Sequence, residues 1–265
     1  MSIMNQSENV KHQYSGGENL SARIKLHEKH STNKKGFFPW LHEQYQFEEN
    51  GSILELGCGN GMQWKGRMDA LPQGSSLTLS DFAEGMIAAA KENLAPHPDN
   101  ISFLQVDIQD ILFAGQSFDT CIANFMLYHV PDLGKGLSEV RRVIKPDGQF
   151  YAATTSSGGM RQYLHDVIKI FEPGTSAFSQ VIPFNMENGG EILGRHFASV
   201  KMHVYEDSLA ITDTNDLMGW LESSMSLSGY RKELFSDLYE YFEKIRAAEG
   251  AINIPKDVCL FVCTA

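Results

Sequence analysis

The chain has 265 residues, of which 42% are hydrophobic and 21% are charged, and its formal net charge is −11. This length allows one large α/β domain with a sizeable cap, and the composition is that of an ordinary globular protein. The acidic balance disfavours a substrate that is bound through a phosphate backbone, and it equally disfavours an anionic membrane surface.

The sequence carries no export or membrane signal, and we expect a cytoplasmic protein. Residues 1–19 are polar and lack the apolar core of a signal peptide, and no apolar stretch approaches the length of a bilayer span. The four cysteines form no CxxC pair, and no His/Cys cluster has zinc spacing. We therefore expect reduced thiols and no bound metal.

Residues 1–50 are interpreted as an N-terminal helical lid or tail. The first dozen residues are polar and are expected to be loose. An apolar pattern between charges predicts a helix at residues 20–30. A second, short helix is predicted to hold the aromatic residues between 37 and 45, because Gly36 and Pro39 suit its start.

Strands and helices are predicted to alternate through residues 51–157. The strands fall at 52–56, 77–80, 101–106, 118–124 and 149–155, with a turn at 145–148 before the last. Helices are predicted directly after the turn at 57–61, at 83–94 and at 132–144. Alternation at this pace predicts a Rossmann-like, doubly wound parallel sheet whose ligand lies at the carboxyl ends of the strands. We therefore interpret residues 51–157 as a cofactor-binding core.

The pattern changes after residue 157. Helical and irregular pieces are predicted at 158–194, a sixth strand near 199–205, helices at 213–223 and 234–248, and a last strand at 258–263. The segments between the fifth and last strands are longer than packing needs, and they predict a helical cap over the site. Residues 158–265 are thus read as cap insertions plus two strands that complete a seven-stranded sheet, within one domain overall.

The run from Glu55 to Gly61 is the first candidate site. Its GxGxG spacing lies between a predicted strand and a predicted helix, where glycines allow a sharp turn and a close approach to a ligand. A dinucleotide fingerprint would be GxGxxG, but Met62 stands where its third glycine is required. The spacing therefore disfavours a nicotinamide cofactor.

Acidic residues end the neighbouring predicted strands. Asp81 ends the second strand and can accept hydrogen bonds from ribose hydroxyls, while Asp107 ends the third and can accept from the exocyclic amine of adenine. Together with Glu55 they suit a ligand that carries an amine, a ribose and an adenine, and they would repel a pyrophosphate. Strand-end acids also serve as helix caps, so the two interpretations of Asp81 and Asp107 stay open.

Five ordered motifs in residues 53–155 resemble the class I S-adenosylmethionine-dependent methyltransferases, particularly the small-molecule group of the ubiquinone/menaquinone-biosynthesis type. The motifs lie at residues 55–61, 79–86, 105–108, 118–125 and 141–148. The resemblance implies S-adenosyl-L-methionine as cofactor and a last strand antiparallel to the others. Ser80 departs from the family pattern, which more often has an apolar-Gly or apolar-Val pair before the acid.

The resemblance also implies the cofactor contacts. The glycines would back the methionine part, Glu55 would orient it through water, Phe82 and Met86 would pack on the adenosine, and the Ile108 amide would help Asp107 to read adenine. The backbone near Asn124 would face the methionine tail. The cofactor-binding candidates in this core are Glu55, Gly57, Cys58, Gly59, Gly61, Asp81, Phe82, Met86, Asp107, Ile108, Asn124 and Phe125.

Two further candidates lie on the first predicted helix. Arg23, His27 and His30 share one helical face. In many relatives an N-terminal helix folds over the cofactor and offers a cation to its carboxylate, so Arg23 and His27 are added to the cofactor-binding set. An ordinary solvated face is the alternative.

The catalytic candidates are Tyr128 and His129, which follow the fourth predicted strand. Methyl transfer is an in-line displacement in which the cofactor carries the difficult chemistry and the protein mainly positions and desolvates the reactants. His129 could act as a base for an oxygen acceptor, because its ordinary pKa lies near neutrality. The alternative is that His129 only hydrogen-bonds to the neighbouring loop.

The sequence thus predicts an S-adenosylmethionine-dependent methyltransferase acting on a small, largely apolar or cationic acceptor, as a monomer or homodimer that binds no nucleic acid and no membrane. A non-catalytic cofactor-binding regulator, a nicotinamide-dependent oxidoreductase and an RNA or protein methyltransferase are the alternatives. The acceptor and its methylated atom stay open.

Overall fold

A computed structural model describes residues 18–228 and 231–265; the first dozen residues, expected to be loose, lie outside these ranges. The strands are β1 (Ser52–Leu56), β2 (Ser76–Asp81), β3 (Ile101–Gln105), β4 (Phe118–Ile122), β5 (Ile144–Thr155), β6 (Ser199–Ile211) and β7 (Ile252–Thr264). They form one sheet of seven strands in the order β3-β2-β1-β4-β5-β7-β6.

The strand directions confirm the predicted fold class. The pairs formed among β1 to β5 are all parallel, whereas β7 runs antiparallel to both β5 and β6. The strand order reverses direction next to β1, because β2 and β3 lie on one side of it and β4 and β5 on the other. In such doubly wound sheets, ligands bind at the carboxyl ends of the strands near this switch point.

The helices cover both faces of the sheet and one end. They are α1 (Glu18–His30), α2 (Phe37–Gln44), α3 (Glu84–Asn93), α4 (Leu133–Val143), α5 (Gly159–Phe171), α6 (Gly189–Leu193), α7 (Thr214–Ser228) and α8 (Phe235–Glu249). The predicted start of α4 is confirmed by its cap, since the Asp132 side chain accepts a hydrogen bond from the Lys135 amide.

Two local predictions are wrong. The helix expected directly after the glycine loop is replaced by short 3-10 turns at Met62–Trp64 and Met68–Ala70. Gly66 lies between them with φ of +69°, a left-handed conformation that interrupts a right-handed helix. The turn expected at 145–148 is part of β5, where Asp147 has φ of +63° and the register with β4 shifts.

The buried apolar side chains form three clusters. One lies on the face of the sheet that is covered by α4 and includes Leu54, Leu137 and Phe150. The second lies on the opposite face and includes Ile53, Trp64 and Tyr151. The third joins α1, α5, α7 and α8 to the far ends of β6 and β7. Within residues 18–228 and 231–265, no helix is both long and apolar enough to cross a bilayer.

Candidate active site

The glycine loop leaves the carboxyl end of β1 in a conformation that only glycine adopts easily. Gly57, Gly59 and Gly61 have φ of +70°, +55° and +75°. A Cβ atom on Gly57 would lie 2.8 Å from Cβ of Met126, in the loop that follows β4. The amide of Cys58 donates to the carbonyl of Ser80 over 2.8 Å, which fixes the loop against β2.

Asp81 lies at the end of β2 and connects the glycine loop to α3. Its Oδ2 accepts from the Gly59 amide and its Oδ1 from the Ala83 amide, each over 2.9 Å. Burial raises the pKa of this carboxyl, and the hydrogen bonds from the backbone oppose the rise. A carboxylate oxygen has two lone pairs, so each oxygen retains room for a ligand hydroxyl. Asp81 therefore orders the loop and still suits a ribose.

Glu55 is the second-to-last residue of β1 and is buried, with 2% of its surface exposed. Its Oε2 accepts from the indole Nε1 of Trp64 over 2.5 Å. Burial raises the pKa of Glu55 to about 8, the hydrogen bond from Trp64 opposes the rise, and Asp81 adds to it. Glu55 therefore binds Trp64 directly, and its carboxyl is mostly protonated at neutral pH.

Ser80, which departs from the family pattern, has a partner in the sheet. Its side chain is fully buried, and its hydroxyl donates to the carbonyl of Glu55 over 2.7 Å. A buried hydroxyl that makes this bond avoids the penalty of an unsatisfied polar group. The departure therefore leaves Asp81 in its place at the end of β2.

Asp107 follows β3, and its carboxylate is already bonded within its own loop. Its Oδ1 accepts from the amide of Gln109 over 2.8 Å and from Gln109 Nε2 over 3.2 Å. Ile108 beside it is 5% exposed, and Met86 on α3 is 1% exposed. Gln109 in turn accepts from the amide of Asp132, which ties this loop to the start of α4. Gln109 is a residue of this loop that sequence reasoning missed.

Asn124 holds three parts of the site together. Its Nδ2 donates to the hydroxyl of Tyr45 over 2.8 Å and to Oε1 of Gln63 over 3.0 Å, while its Oδ1 accepts from the Ala153 amide over 3.0 Å. Phe125 next to it has φ of +53°. Gln63 and Tyr45 were missed in the sequence. Gln63 Nε2 is buried and has no hydrogen-bond partner within residues 18–228 and 231–265.

Tyr128 and His129 lie in a 3-10 turn, Leu127–His129, beyond the carboxyl end of β4. Their rings meet edge to face with centroids 4.6 Å apart. The amide of His129 donates to the carbonyl of Met126, the residue that also contacts Gly57. The turn thus packs next to the glycine loop, where a reacting group bound above that loop would meet it.

The first helix, α1, begins against the glycine loop. A Cβ atom on Gly59 would lie 2.8 Å from Cδ2 of Leu20. Arg23 follows on the same helix, and His27 lies one turn further. Burial, together with the charge of Lys256, lowers the pKa of His27 to about 3 against the opposing effect of Asp207. A neutral His27 near pH 7 leaves Arg23 as the cation of the predicted pair.

The residues that follow α1 are hydrogen-bonded to Asp207 of β6, which forms a buried ion pair with Lys256 of β7. Lys256 Nζ lies 2.6 Å from Oδ2 of Asp207, whose side chain is fully buried. The hydroxyl of Ser31 donates to the same carboxylate over 2.7 Å, and so does the amide of Asn33 over 3.1 Å. The helix thus spans the carboxyl edge of the sheet from the glycine loop to the cap.

These features define an α/β protein whose glycine loop and strand-end acids lie together at the carboxyl edge of its sheet. Residues 54–152 match the family model described as a methyltransferase domain. This central part of the chain therefore matches a methyltransferase domain, in agreement with the motifs found in the sequence.

Among curated proteins, a malonyl-[acyl-carrier protein] O-methyltransferase of Erwinia pyrifoliae is 33% identical over 42% of this chain and 39% of its own length. A demethylmenaquinone methyltransferase of Desulfitobacterium hafniense is 33% identical over 37% of this chain, again 39% of its own length. The chain thus matches about two fifths of these relatives. Another malonyl-[acyl-carrier protein] O-methyltransferase, from Chlorobium phaeovibrioides, is 24% identical over 78% of this chain and 77% of its own.

Solved structures share the fold at low identity. The YcgJ protein of Bacillus subtilis superposes with a TM-score of 0.59 at 14% identity, covering 86% of this chain and 97% of its own. A phosphoethanolamine N-methyltransferase 2 of Haemonchus contortus, in complex with phosphomonomethylethanolamine and S-adenosylhomocysteine, gives a TM-score of 0.60 at 14% identity, over 100% of this chain and 60% of its own.

Proposed function

We propose that this protein transfers a methyl group from S-adenosyl-L-methionine to a small-molecule acceptor. The carrying observation is the contact of the Asp81 carboxylate with the Gly59 amide. It places an acid suited to a ribose directly beside a loop whose glycines allow close approach to a ligand. The family of residues 54–152 and the names of the curated relatives support the same activity.

The residues present fit this cofactor. The glycine loop offers a surface without side chains at Gly57, Gly59 and Gly61, and the buried Gln63 Nε2 is a donor for a ligand oxygen. Asp81 would hold the ribose, Asp107 and the Ile108 amide would bind adenine, and Phe82 and Met86 would pack on the adenosine. Asn124 and Phe125 would position the methionine tail through the backbone, with Arg23 as the cation for its carboxylate.

The bound cofactor supplies an electrophilic methyl on a sulfonium, and the chain supplies alignment and a dry site. Leu20 on α1 lies against Gly59, and it would help to keep water from that side of the loop. Tyr128 and His129 stand beside the loop, and His129 would accept a proton if the acceptor atom is a hydroxyl oxygen. In-line displacement, positioning and desolvation are therefore the proposed means of catalysis.

The organisation expected from the sequence is kept as part of the proposal. Residues 1–50 would act as the lid, 51–157 as the cofactor core, and 158–265 as the cap with the last two strands. We propose a monomer or homodimer in the cytoplasm. The third apolar cluster supports a cap with packing of its own, because it is built from α1, α5, α7 and α8 with the ends of β6 and β7.

Calorimetric titration with S-adenosylhomocysteine tests the cofactor assignment. We expect binding by the wild-type protein and at least about 100-fold weaker binding by Asp81→Ala, because hydrogen bonds to a charged group are worth about 1.5–3 kcal/mol each. Asp119→Asn is the matched control, since Asp119 bonds Lys145 and the Ser52 amide at the opposite ends of β4 and β1. Unchanged affinity in Asp81→Ala, with an intact far-ultraviolet spectrum, would show that Asp81 only orders the loop.

The alternative is a cofactor-binding protein without turnover. The [4+2]-cyclase SpnF has the same fold, with a TM-score of 0.54 at 12% identity, so the fold alone does not establish methyl transfer. Release of S-adenosylhomocysteine from S-adenosylmethionine in the presence of a metabolite panel would reject this alternative. Tight cofactor binding with no release for any acceptor would favour it.

A further inference from the structure

The cap contains a partly buried cation that lacks an acidic partner. Arg161 on α5 donates from Nη2 to the carbonyls of Phe178 over 3.1 Å and Gln180 over 3.3 Å. In the part of the chain that is described, no carboxylate lies within ion-pair distance of this guanidinium. Removing a charge from water is costly unless an opposite charge or full hydrogen bonding compensates it. The planar guanidinium of Arg161 is therefore suited to bind an anionic group of a ligand.

Two orphaned polar atoms lie in the same cluster. The Phe178 ring stacks on Trp220 of α7 with centroids 6.0 Å apart, and the Arg161 guanidinium lies 5.7 Å from the same ring. Trp220 Nε1 and Gln180 Oε1 are buried without a hydrogen-bond partner among residues 18–228 and 231–265. Buried polar atoms are rarely left unpaired in a folded protein, so the two atoms point to a ligand between the cap elements.

The backbone around this cluster is strained, as is common at binding sites. Phe178 has φ of +58°, which is unfavourable for an aromatic residue. The strain is held by the Arg161 hydrogen bond to the Phe178 carbonyl and by the hydrogen bond between His165 Nδ1 and the Ala177 carbonyl over 2.8 Å. The segment is thus fixed in a position that keeps the Phe178 ring between Arg161 and Trp220.

The cluster faces the reacting end of the site. Tyr128, the residue beside His129, lies close enough to Arg161 for its phenolic oxygen to act on the guanidinium electrostatically. Burial lowers the pKa of Arg161, and Tyr128 opposes that effect. Arg161 therefore connects the cap to the turn that follows β4.

We propose that this cluster is the acceptor subsite and that it binds a carboxylate of the methyl acceptor through Arg161, with the apolar body of the acceptor against Phe178 and Trp220. Trp220 Nε1 donates to a polar atom of the same molecule and Gln180 Oε1 accepts from one. The inference rests on the proposed function. It replaces the expectation of a largely apolar or cationic acceptor by one of an amphipathic acid.

A matched pair of probes tests the subsite without knowledge of the natural acceptor. The probes are 4-hydroxybenzoate and 4-hydroxybenzamide, whose binding is followed by ligand-observed NMR, with and without saturating S-adenosylhomocysteine. We expect the wild-type protein to prefer the acid at least about tenfold, because hydrogen bonds to charged groups exceed neutral ones by about 1–1.5 kcal/mol. Arg161→Gln should abolish the preference, and equal binding of both probes by the wild type would overturn the proposal.

Two further variants make the result specific. Arg195→Gln removes an exposed arginine that pairs with Glu191 on α6, and it should leave the preference unchanged. Arg161→Lys keeps the charge without the planar fork and should retain part of the preference, which guards against misfolding of Arg161→Gln.

The cofactor has its own carboxylate, which is a second source for the same chemistry. Calorimetry with S-adenosylhomocysteine should give wild-type affinity for Arg161→Gln. A tenfold loss would assign Arg161 to the methionine tail and overturn the acceptor subsite. Failure of the proposed function has a different signature, since the wild-type protein would then bind no S-adenosylhomocysteine while the preference for the acid persisted.

Discussion

At the residue scale, two acids on neighbouring strands differ in what surrounds them. Asp119, near the start of β4, has a lysine partner, whereas Glu55 accepts from the indole of Trp64 and has the further negative charge of Asp81 nearby. A buried carboxyl without a cation is best accommodated in its protonated form. Glu55 therefore links the stability of β1 to pH.

The sign of this linkage follows from proton binding. The carboxyl of Glu55 titrates at about 8 in the folded protein and near its ordinary value of 4.5 when unfolded. Between these values the folded state holds the proton and the unfolded state does not, so stability is greatest below the lower value and falls as the pH rises to about 8. Glu55→Gln keeps an acceptor for Trp64 and removes this loss.

We therefore expect Glu55→Gln to raise the free energy of unfolding by about 1–3 kcal/mol at about pH 8.5 and by much less at about pH 5.5. Urea unfolding of the ligand-free protein at the two pH values measures the difference. A gain of equal size at both would mean that the substitution acts through packing and not through ionisation.

Sequence reasoning identified residues of the site only where their position along the chain, such as the end of a strand, indicates their role. Asp81 was found because it ends a strand, and the structure places it on the Gly59 amide. Gln63 and Tyr45 were missed because their roles arise from contact with Asn124, across 61 and 79 residues of chain. His27 shows the same limit, since its neutral state depends on burial and on Lys256 from another element.

At the scale of elements, the strands were predicted well because a buried parallel strand is a continuous apolar run. The segment after the glycine loop was wrongly predicted as a helix, because the alternation of strands and helices does not reveal the left-handed break at Gly66. A comparison of Gly57 with Gly66 tests why glycine is needed at the start of the glycine loop.

Gly57 and Gly66 both have φ near +70°, but only Gly57 is crowded. A Cβ atom there would lie 2.8 Å from two side-chain atoms of Met126, whereas nothing lies within 4 Å of one on Gly66. Gly66→Ala should therefore cost only the left-handed strain of about 1–2 kcal/mol and leave S-adenosylhomocysteine affinity unchanged. Gly57→Ala should cost more stability and also weaken binding at least about tenfold, since the loop must move away from β4.

Urea unfolding and calorimetry on both variants separate strain from crowding. The interpretation fails if the two substitutions cost the same stability and Gly57→Ala binds normally, because the close approach to Met126 would then have no effect on the loop. Equal loss of affinity in both variants would instead assign the effect to backbone conformation alone.

At the scale of the whole molecule, the third apolar cluster gives the cap a core of its own. Leu26 of α1 packs there with Leu238 and Phe242 of α8, away from the clusters on the two faces of the sheet. The mostly parallel sheet was predictable from the alternation of strands and helices, and its antiparallel last strand from the family resemblance. The joining of α1 to the cap was not, because it depends on contacts between the two ends of the chain.

A separate core predicts separate unfolding. Leu238 is fully buried in the cap cluster, and Leu238→Ala should cost about 2–5 kcal/mol through the lost contacts and the cavity. If the cap and α1 open as one cooperative unit, hydrogen exchange should accelerate in α1, α5, α7 and α8 while β1 to β4 keep their protection. Leu137 lies on α4, in the cluster between this helix and the sheet. Leu137→Ala is the matched control and should accelerate exchange in the sheet.

The buried carboxylate of Asp207 adds to this expectation, because it pairs with Lys256 of β7 and accepts hydrogen bonds from Ser31 and Asn33, which follow α1. Opening of the cap would release α1 from the glycine loop, where Leu20 lies against Gly59. Leu238→Ala should therefore also weaken the binding of S-adenosylhomocysteine, although Leu238 belongs to the cap cluster and not to the glycine loop. Uniform acceleration across the sheet and the cap would show that the molecule unfolds as one unit and that α1 is not coupled to the cap alone.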